Sequence, residues 1–455
     1  MSRLKIFLVV IVIAALAWGL WGAFRSGPEP LIELSADRAA IGAGTLFTAR
    51  FAEPELGLVS VSLEVQQGER VKVLADANFE TPSPFDPFAD ALTPEHLLEA
   101  NVGIESQDWL EEGEATVRAR AVRFTGPFGS GEVTEEITQE VILRPPSLGL
   151  VSNRHYLRQG GAGAVQFVVG ERAVRSGVVA GDAEFKSFPM PGGNENARFT
   201  IFGIPFDMDD ASRLRLFAED AAGNRAEIEF ADIFKKKPPT RDTINLPDSF
   251  LRRVVGPILS QSPGFRAEGS LLDQYLAING TMRVQNRAFV KELCDRSREE
   301  RLWSGSFLQL PNSQKMARYA DTRTYRYDGE SVDTQTHLGL DLASIAQAPV
   351  PAANAGEVVF AGYLGIYGNA VAIDHGYGLV SLYAHLSSIG TSEGAIVRRG
   401  DIVGRSGATG LAGGDHLHFG VFVQGVAVDP IEWLDGKWIR ERIDPKIPAP
   451  PRAEG

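Results

Sequence analysis

Gly414-Asp415-His416-Leu417-His418-Phe419, taken with His337-Leu338-Gly339-Leu340-Asp341 some eighty residues earlier, decides how the C-terminal part of this chain folds. The two stretches hold three imidazoles and, besides Asp415, the carboxylate of Asp341. Only seven histidines occur in 455 residues, and five of them (His337, His375, His385, His416, His418) fall in the last third. A residue this scarce, gathered beside an acid, reads as a catalytic zinc centre rather than as surface decoration. Side chains at i and i+2 of a strand share a face. His416 and His418 are therefore expected to project together, with Leu417 and Phe419 turned to the core. The same rule puts His337 and Asp341 on one face if Leu338 and Leu340 are buried. Zinc favours imidazole nitrogen and carboxylate oxygen, and a catalytic site keeps about three protein ligands with a position left for water. Two His and one Asp meet that need and leave at least one His for proton transfer.

Further segments join this pattern in a fixed order. They are Gly368-Asn369 through Asp374-His375-Gly376, Tyr383-Ala384-His385-Leu386, Gly404-Arg405-Ser406-Gly407-Ala408-Thr409-Gly410 and Val428-Asp429-Pro430. Together they resemble the lysostaphin/LytM-type zinc endopeptidases that cut peptide bonds in bacterial cell walls, over roughly residues 305–435. The resemblance implies an antiparallel β-sheet groove, with His337, Asp341 and His418 binding one zinc ion. It implies that His385 and His416 flank the reacting water and the scissile carbonyl. His416 is the choice for general base, because imidazole titrates near the working pH. His385 then stabilises the oxyanion or orients the water. Gly420 departs from the family, where Glu is common after the H-x-H-F run. The lead-in Arg323–Glu330 is only loosely similar, which bears on groove contacts rather than on the metal.

Blander readings apply to the other candidates. His385 belongs to the alternation Ser381, Tyr383, His385 opposite Val380, Leu382 and Ala384, and is expected on the groove face. His375, before Gly376, reads as an ordinary turn residue and Asp415 as a loop carboxylate. His96 follows Thr93-Pro94-Glu95, a helix-start signature, and is expected to be exposed. His155 has no acidic neighbour in sequence and is assigned nothing. Cys294 has no Cys or His near it and reads as a small buried apolar side chain. The competing class for the whole site is an inactive scaffold that binds and activates another cell-wall hydrolase.

Ile6 to Phe24 is apolar or Gly throughout, behind Arg3 and Lys5. About twenty such residues span a bilayer core, and the basic end is expected to stay cytoplasmic. The expectation is an uncleaved single-pass anchor in the bacterial inner membrane, with the bulk of the chain in the periplasm or cell-wall space; a cleaved signal peptide is the rival. The net charge of −13 argues against nucleic acid, which calls for a basic footprint.

Between anchor and site the chain reads mainly as β. Val59, Val61, Leu63 and Val65 alternate with polar residues, as do Val117, Ala119 and Ala121, and Glu132–Leu143 is extended. Pro82, Pro84 and Pro87 mark a loop, followed by a short helix near Pro94–Ala100. The expected organisation is an anchor (1–28), a β-sandwich with an insertion (29–146), a second immunoglobulin-like β module (147–234), a linker and helical region (235–304), the catalytic domain (305–440) and a disordered tail (441–455). The β modules are candidate binders of cell-envelope proteins, against a passive stalk. Lys235-Lys-Lys-Pro-Pro239 reads as a solvated connector. Gly256-Pro257 should kink or end the first helix. The helical region either caps the groove or packs on the sandwich or the back of the catalytic domain. The expected partner is a peptidoglycan peptide as substrate, with the membrane contacted through the N-terminal helix.

Overall fold

The computed structural model describes residues 3–24, 28–55, 57–81, 92–123 and 131–449. The chain divides into two compact units. The first holds Met1–Pro146 with Arg172–Val174 and Glu219–Ala226; the second holds Ser147–Glu171, Arg175–Ala218 and Glu227–Gly455.

In the first unit two antiparallel sheets close on one core. Leu31–Ala36, Thr45–Ala52 and Glu95–Val102 pair in that order; Arg70–Asn78, Leu58–Gln67, Gly113–Arg123 and Gly131–Val141 pair in theirs. Alternation builds the core. Val61, Leu63 and Val65 point inward beside Val117, Ala119 and Ala121 and meet Phe47, Ala49 and Phe51 of the facing sheet. On the outer face Arg118 bridges Glu64 and Glu136 of the two flanking strands. The helix expected near Pro94–Ala100 is the strand Glu95–Val102 instead, paired along its whole length with Thr45–Ala52. Leu98 and Val102 are buried there, so tertiary pairing overrides a local helix-start signature. His96 is half-buried, its ring 4.8 Å from that of Phe79. Pro82, Pro84 and Pro87 lie outside the described residues.

Arg3–Phe24 is one helix, and its large apolar side chains from Ile6 to Trp21 are exposed. Among the described residues no helix is long and apolar enough to cross a membrane, so the expected transmembrane helix is not carried by this structure.

The second unit opens with another pair of sheets. Phe188–Pro189, Ala197–Gly203, Ala162–Val169 and Leu148–Leu150 form one; the other is made of those parts of Ala183–Lys186, Ala173–Ala180, Leu214–Asp220 and Arg225–Ile228 that belong to this unit. Phe185 and Phe202 meet edge-on between them at 6.4 Å. This module is docked, not a free stalk. Gln424 accepts the Lys186 N–H at 2.8 Å and donates to the Ile201 carbonyl at 3.0 Å. Tyr377 packs on Phe188 and Phe199 with ring centroids 4.9 and 4.8 Å away. Arg158 reaches Asp429 at 2.9 Å and Glu432 at 2.7 Å. Lys237, expected in a solvated connector, donates to the Tyr319 carbonyl at 2.6 Å and lies 3.2 Å from Asp429.

The C-terminal sheet is antiparallel. Its strands run Gln314–Ala317, Leu340–Ala343, Leu417–Val423, Leu379–Leu386, Asn369–Asp374, Gly356–Tyr363, Ile396–Val397, with Val426–Val428 added beside Leu417–Val423. One face carries Val380, Leu382, Ala384 and Phe422, and the helical segment packs on it. That segment comprises the helices Asp248–Gln261, Leu271–Ala277 and Arg283–Asp295, with a π-helical turn over Ile278–Met282. Leu251, Val255, Ile258, Tyr275, Val290 and Leu293 are buried in the shared core. Pro257 is carried inside its helix, which runs on to Gln261. Cys294 is buried, as its surroundings in sequence suggest, and burial pushes its thiol up to about 12. Thr240–Asn245 pairs parallel with Asp321–Tyr327, which pairs with Glu330–His337. Residues 441–449, expected in a disordered tail, are packed: Ile443 and Ile447 are buried, and Asp444 pairs with Arg301 at 2.6 Å.

Candidate metal centre and its groove

Strand register brings the site together. Asp341 stands directly opposite His418 where Leu340–Ala343 pairs with Leu417–Val423, and Ala384 flanks His418 on the other side. Leu417 and Phe419 are buried on the opposite face, as the i, i+2 rule requires. His337 arrives differently from the expectation. It ends the strand Glu330–His337, the chain turns at Leu338-Gly339, and Asp341 lies on the next strand. The two meet across a turn rather than along one strand. Leu338 is half-buried, while Leu340 is fully buried. A Cβ at Gly339 would stand 2.5 Å from Cε1 and 2.6 Å from Nε2 of His418, so only glycine lets that ring lie against the turn.

Three acceptor atoms converge in the buried cluster. His337 Nε2 is 2.9 Å from Asp341 Oδ1 and 3.1 Å from His418 Nδ1, and His418 Nδ1 is 2.9 Å from Asp341 Oδ1. His337 Nδ1 lies 2.9 Å from the Arg318 carbonyl. A carbonyl can only accept, so Nδ1 carries the proton and Nε2 presents its lone pair. His418 Nε2 is buried with no hydrogen-bond partner. With its proton there, Nδ1 also presents a lone pair to the cluster. Ligand atoms at about 2.0–2.1 Å from a tetrahedral zinc stand about 3.3 Å apart, close to the separations here. His337, Asp341 and His418 thus fit a divalent cation in type, burial and spacing.

Electrostatics agree with an ionised carboxylate. Burial works to raise the Asp341 carboxyl, but the neighbouring imidazoles, His337 first and then His416 and His418, hold it well below the usual carboxylate range. Arg323 donates to Asp341 Oδ2 at 2.7 Å, fixing the oxygen that does not face the cluster. Sequence reasoning passed over Arg323, which lies in the poorly matching lead-in; its pairing opposite Gln335 in the hairpin has no local signature. Tyr367, also unforeseen, sets its ring 5.6 Å from that of His418.

His385 reaches the groove by breaking the alternation. Ser381 and Tyr383 face the other side of the sheet: Ser381 Oγ lies 2.7 Å from His375 Nε2, and Tyr383 OH accepts the Ala353 N–H at 2.7 Å. Strict period two would send His385 there as well. Its φ of +62° is left-handed backbone, uncommon outside glycine and gathered at functional sites. It turns the ring to 4.9 Å from His416 and 5.7 Å from His418. His385 Nδ1 donates to the Thr409 carbonyl at 2.8 Å and His416 Nδ1 to that of Gly414 at 2.8 Å, so each neutral ring leaves Nε2 free. Burial, then the charges of His416 and His418, push His385 well below the ordinary imidazole range. For His416 burial works downward, but the Asp341 carboxylate, 3.6 Å away, raises it. Burial pushes His418 down to about 4.

The remaining candidates lie outside this cluster. His375 does stand at the turn before Gly376, between Asn369–Asp374 and Leu379–Leu386, but it is fully buried there, donates to the Ala355 carbonyl at 2.7 Å and is pushed by burial to about 4. Asp415 fastens a loop, accepting from Ser406 Oγ at 2.6 Å and Gln347 N at 2.9 Å. His155 is buried with Ser152 Oγ at 2.9 Å and Asp232 at 3.5 Å, a neighbour distant in sequence. The five expected site residues line one groove of about 780 Å³, whose far wall is the helical segment.

Residues 335–430 match peptidase family M23 and form an M23 domain. Over 95 residues the chain is 43% identical to the DD-carboxypeptidase/endopeptidase Mpg of Neisseria meningitidis, covering 21% of this chain and 22% of that protein. Over 283 residues it is 25% identical to the peptidoglycan DD-endopeptidase ShyA of Vibrio cholerae, covering 59% of this chain and 60% of that one. Over 127 residues it is 31% identical to the murein hydrolase activator EnvC of Escherichia coli, covering 28% and 30%. The chain spans about a fifth of the first of these relatives and less than two thirds of each of the others.

Proposed function

We propose that the chain is a zinc-dependent endopeptidase that hydrolyses peptide bonds in the stems or cross-links of peptidoglycan. The observation that carries this reading is the convergence of His337 Nε2, Asp341 Oδ1 and His418 Nδ1 within 3.1 Å of one another, beside two further imidazoles. Three buried acceptors facing each other are costly unless a cation joins them. His337, Asp341 and His418 would hold zinc, which when bound polarises a carbonyl and acidifies water. His416 takes up the proton of the attacking water at Nε2 and returns it to the leaving amine. His385, neutral and with Nε2 free, accepts a hydrogen bond that orients the water. Arg323 holds Asp341 Oδ2 and so keeps Oδ1 aimed at the cluster.

Relatives named as peptidoglycan endopeptidases support the substrate class. A relative named as an activator supports a second reading, a scaffold that stimulates another hydrolase; the complete set of buried acceptors favours hydrolysis. A peptidoglycan substrate fits a chain working in the periplasm or cell-wall space. The first sandwich pairs its first, second and fifth strands in one sheet and its third, fourth, sixth and seventh in the other, an order that supports an immunoglobulin-like reading.

The test is mass spectrometry of fragments released from purified sacculi by the wild-type chain and by His416→Ala. New peptide ends are expected with zinc-loaded wild type alone. Intact sacculi with zinc-loaded wild type would overturn the reading, and equal digestion of a plain protein would reject peptidoglycan as the preferred substrate.

A further inference from the structure

The helical wall of the groove carries a guanidinium that no described carboxylate ion-pairs. Arg283 follows directly on the π-helical turn Ile278–Met282. Its Nε donates to the Asn279 carbonyl at 2.9 Å and its Nη2 to Asn279 Oδ1 at 2.5 Å. Asn279 is fully buried and donates through Nδ2 to Asp333 Oδ2 at 2.7 Å. A π-helical turn widens the helix and is found most often where function requires it. This one sends the Asn279 side chain inward to Asp333, while Arg283 stays half-buried on the groove. Both residues line the cavity that contains His337, His416 and His418.

The other two arginines of the groove are committed. Arg323 pairs with Asp341, and Arg253 donates to the Gly413 carbonyl at 3.0 Å. Among the described residues no carboxylate forms an ion pair with Arg283. In a chain of net charge −13, a fixed cation in a groove, in ion-pair contact with no described carboxylate and with Asp333 engaged by Asn279, is an arrangement suited to an incoming anion. Of the five guanidinium N–H groups, those not pointed at Asn279 remain, and the two bonds to Asn279 restrict the side chain before any ligand arrives.

We propose that Arg283, oriented by Asn279, binds a free carboxylate of the substrate peptide and makes the groove select acidic over amidated peptides. This rests on the endopeptidase reading for its substrate, though the binding step can be measured without cleavage. The carboxylate could come from a side branch of the peptide or from its C-terminus, and the two are separable by amidating one at a time.

Full-length His416→Ala protein loaded with zinc is titrated calorimetrically with three synthetic peptides: the free acid, the side-branch amide and the C-terminal amide. One amidation should weaken binding about ten- to a hundredfold, the range of a charge-assisted hydrogen bond. That amide identifies the carboxylate. Arg283→Gln on the same background should erase the difference, and Arg283→Lys should keep part of it, which guards against a folding defect. Discrimination that survives Arg283→Gln, or binding indifferent to both amidations, overturns the proposal. If the His416→Ala protein discriminates through Arg283 while the wild type cleaves none of the peptides, the endopeptidase reading fails and the carboxylate site stands.

Discussion

Two walls face each other across one groove, and they are built by different rules. The sheet wall places its chemistry by register: Asp341 opposite His418, with Ala384 beside it. The helical wall places Asn279 and Arg283 by packing, through buried Tyr275, Ile278, Val290 and Leu293 set on Val380, Leu382 and Phe422. Register follows from period-two spacing, so the reacting centre tolerates little change. Packing of helices on a sheet leaves more latitude, so that wall is where the substrate can be chosen without disturbing the centre.

Substitutions should separate the two walls. The largest effect is expected from Asp341→Ala, which removes the acceptor that shares two of the three contacts of the cluster; cleavage of sacculi should fall to background. His416→Ala should lower the rate about 10²–10⁴-fold while zinc content stays that of the wild type. Retained zinc with lost rate is what distinguishes it from a ligand. Arg323→Gln removes the partner of Asp341 Oδ2 and should weaken zinc binding about 10–100-fold in a competition titration with a chelator. Leu293→Ala, in the helical wall, should cost about 2–5 kcal/mol in denaturant unfolding and leave zinc stoichiometry unchanged. Lost zinc in that variant would mean the walls are not separable. The smallest effect is at Cys294. Buried and with its thiol held up to about 12, it should stay unlabelled by a thiol reagent in the native chain and react only in denaturant.

The sequence makes legible what local spacing controls. His416-Leu-His418-Phe419 declares its two faces, and Val61, Leu63 and Val65 declare the first sandwich. It misleads where the backbone departs from periodicity. His337 and Asp341 look like one strand and are two, and His385 reaches the groove only through its left-handed φ. Glu95–Val102 opens like a helix, yet eight paired residues hold it as a strand. Where partners come from distant segments, nothing local announces them. His375 needs Ala355 and Ser381, Arg323 needs Asp341, and Arg283 needs a buried Asn279 steadied by Asp333.

Zinc analysis of the purified full-length chain, stripped with a chelator and then dialysed against limiting zinc, tests the central claim most directly. The account predicts uptake of about one zinc per chain. A folded chain that takes up none would contradict it.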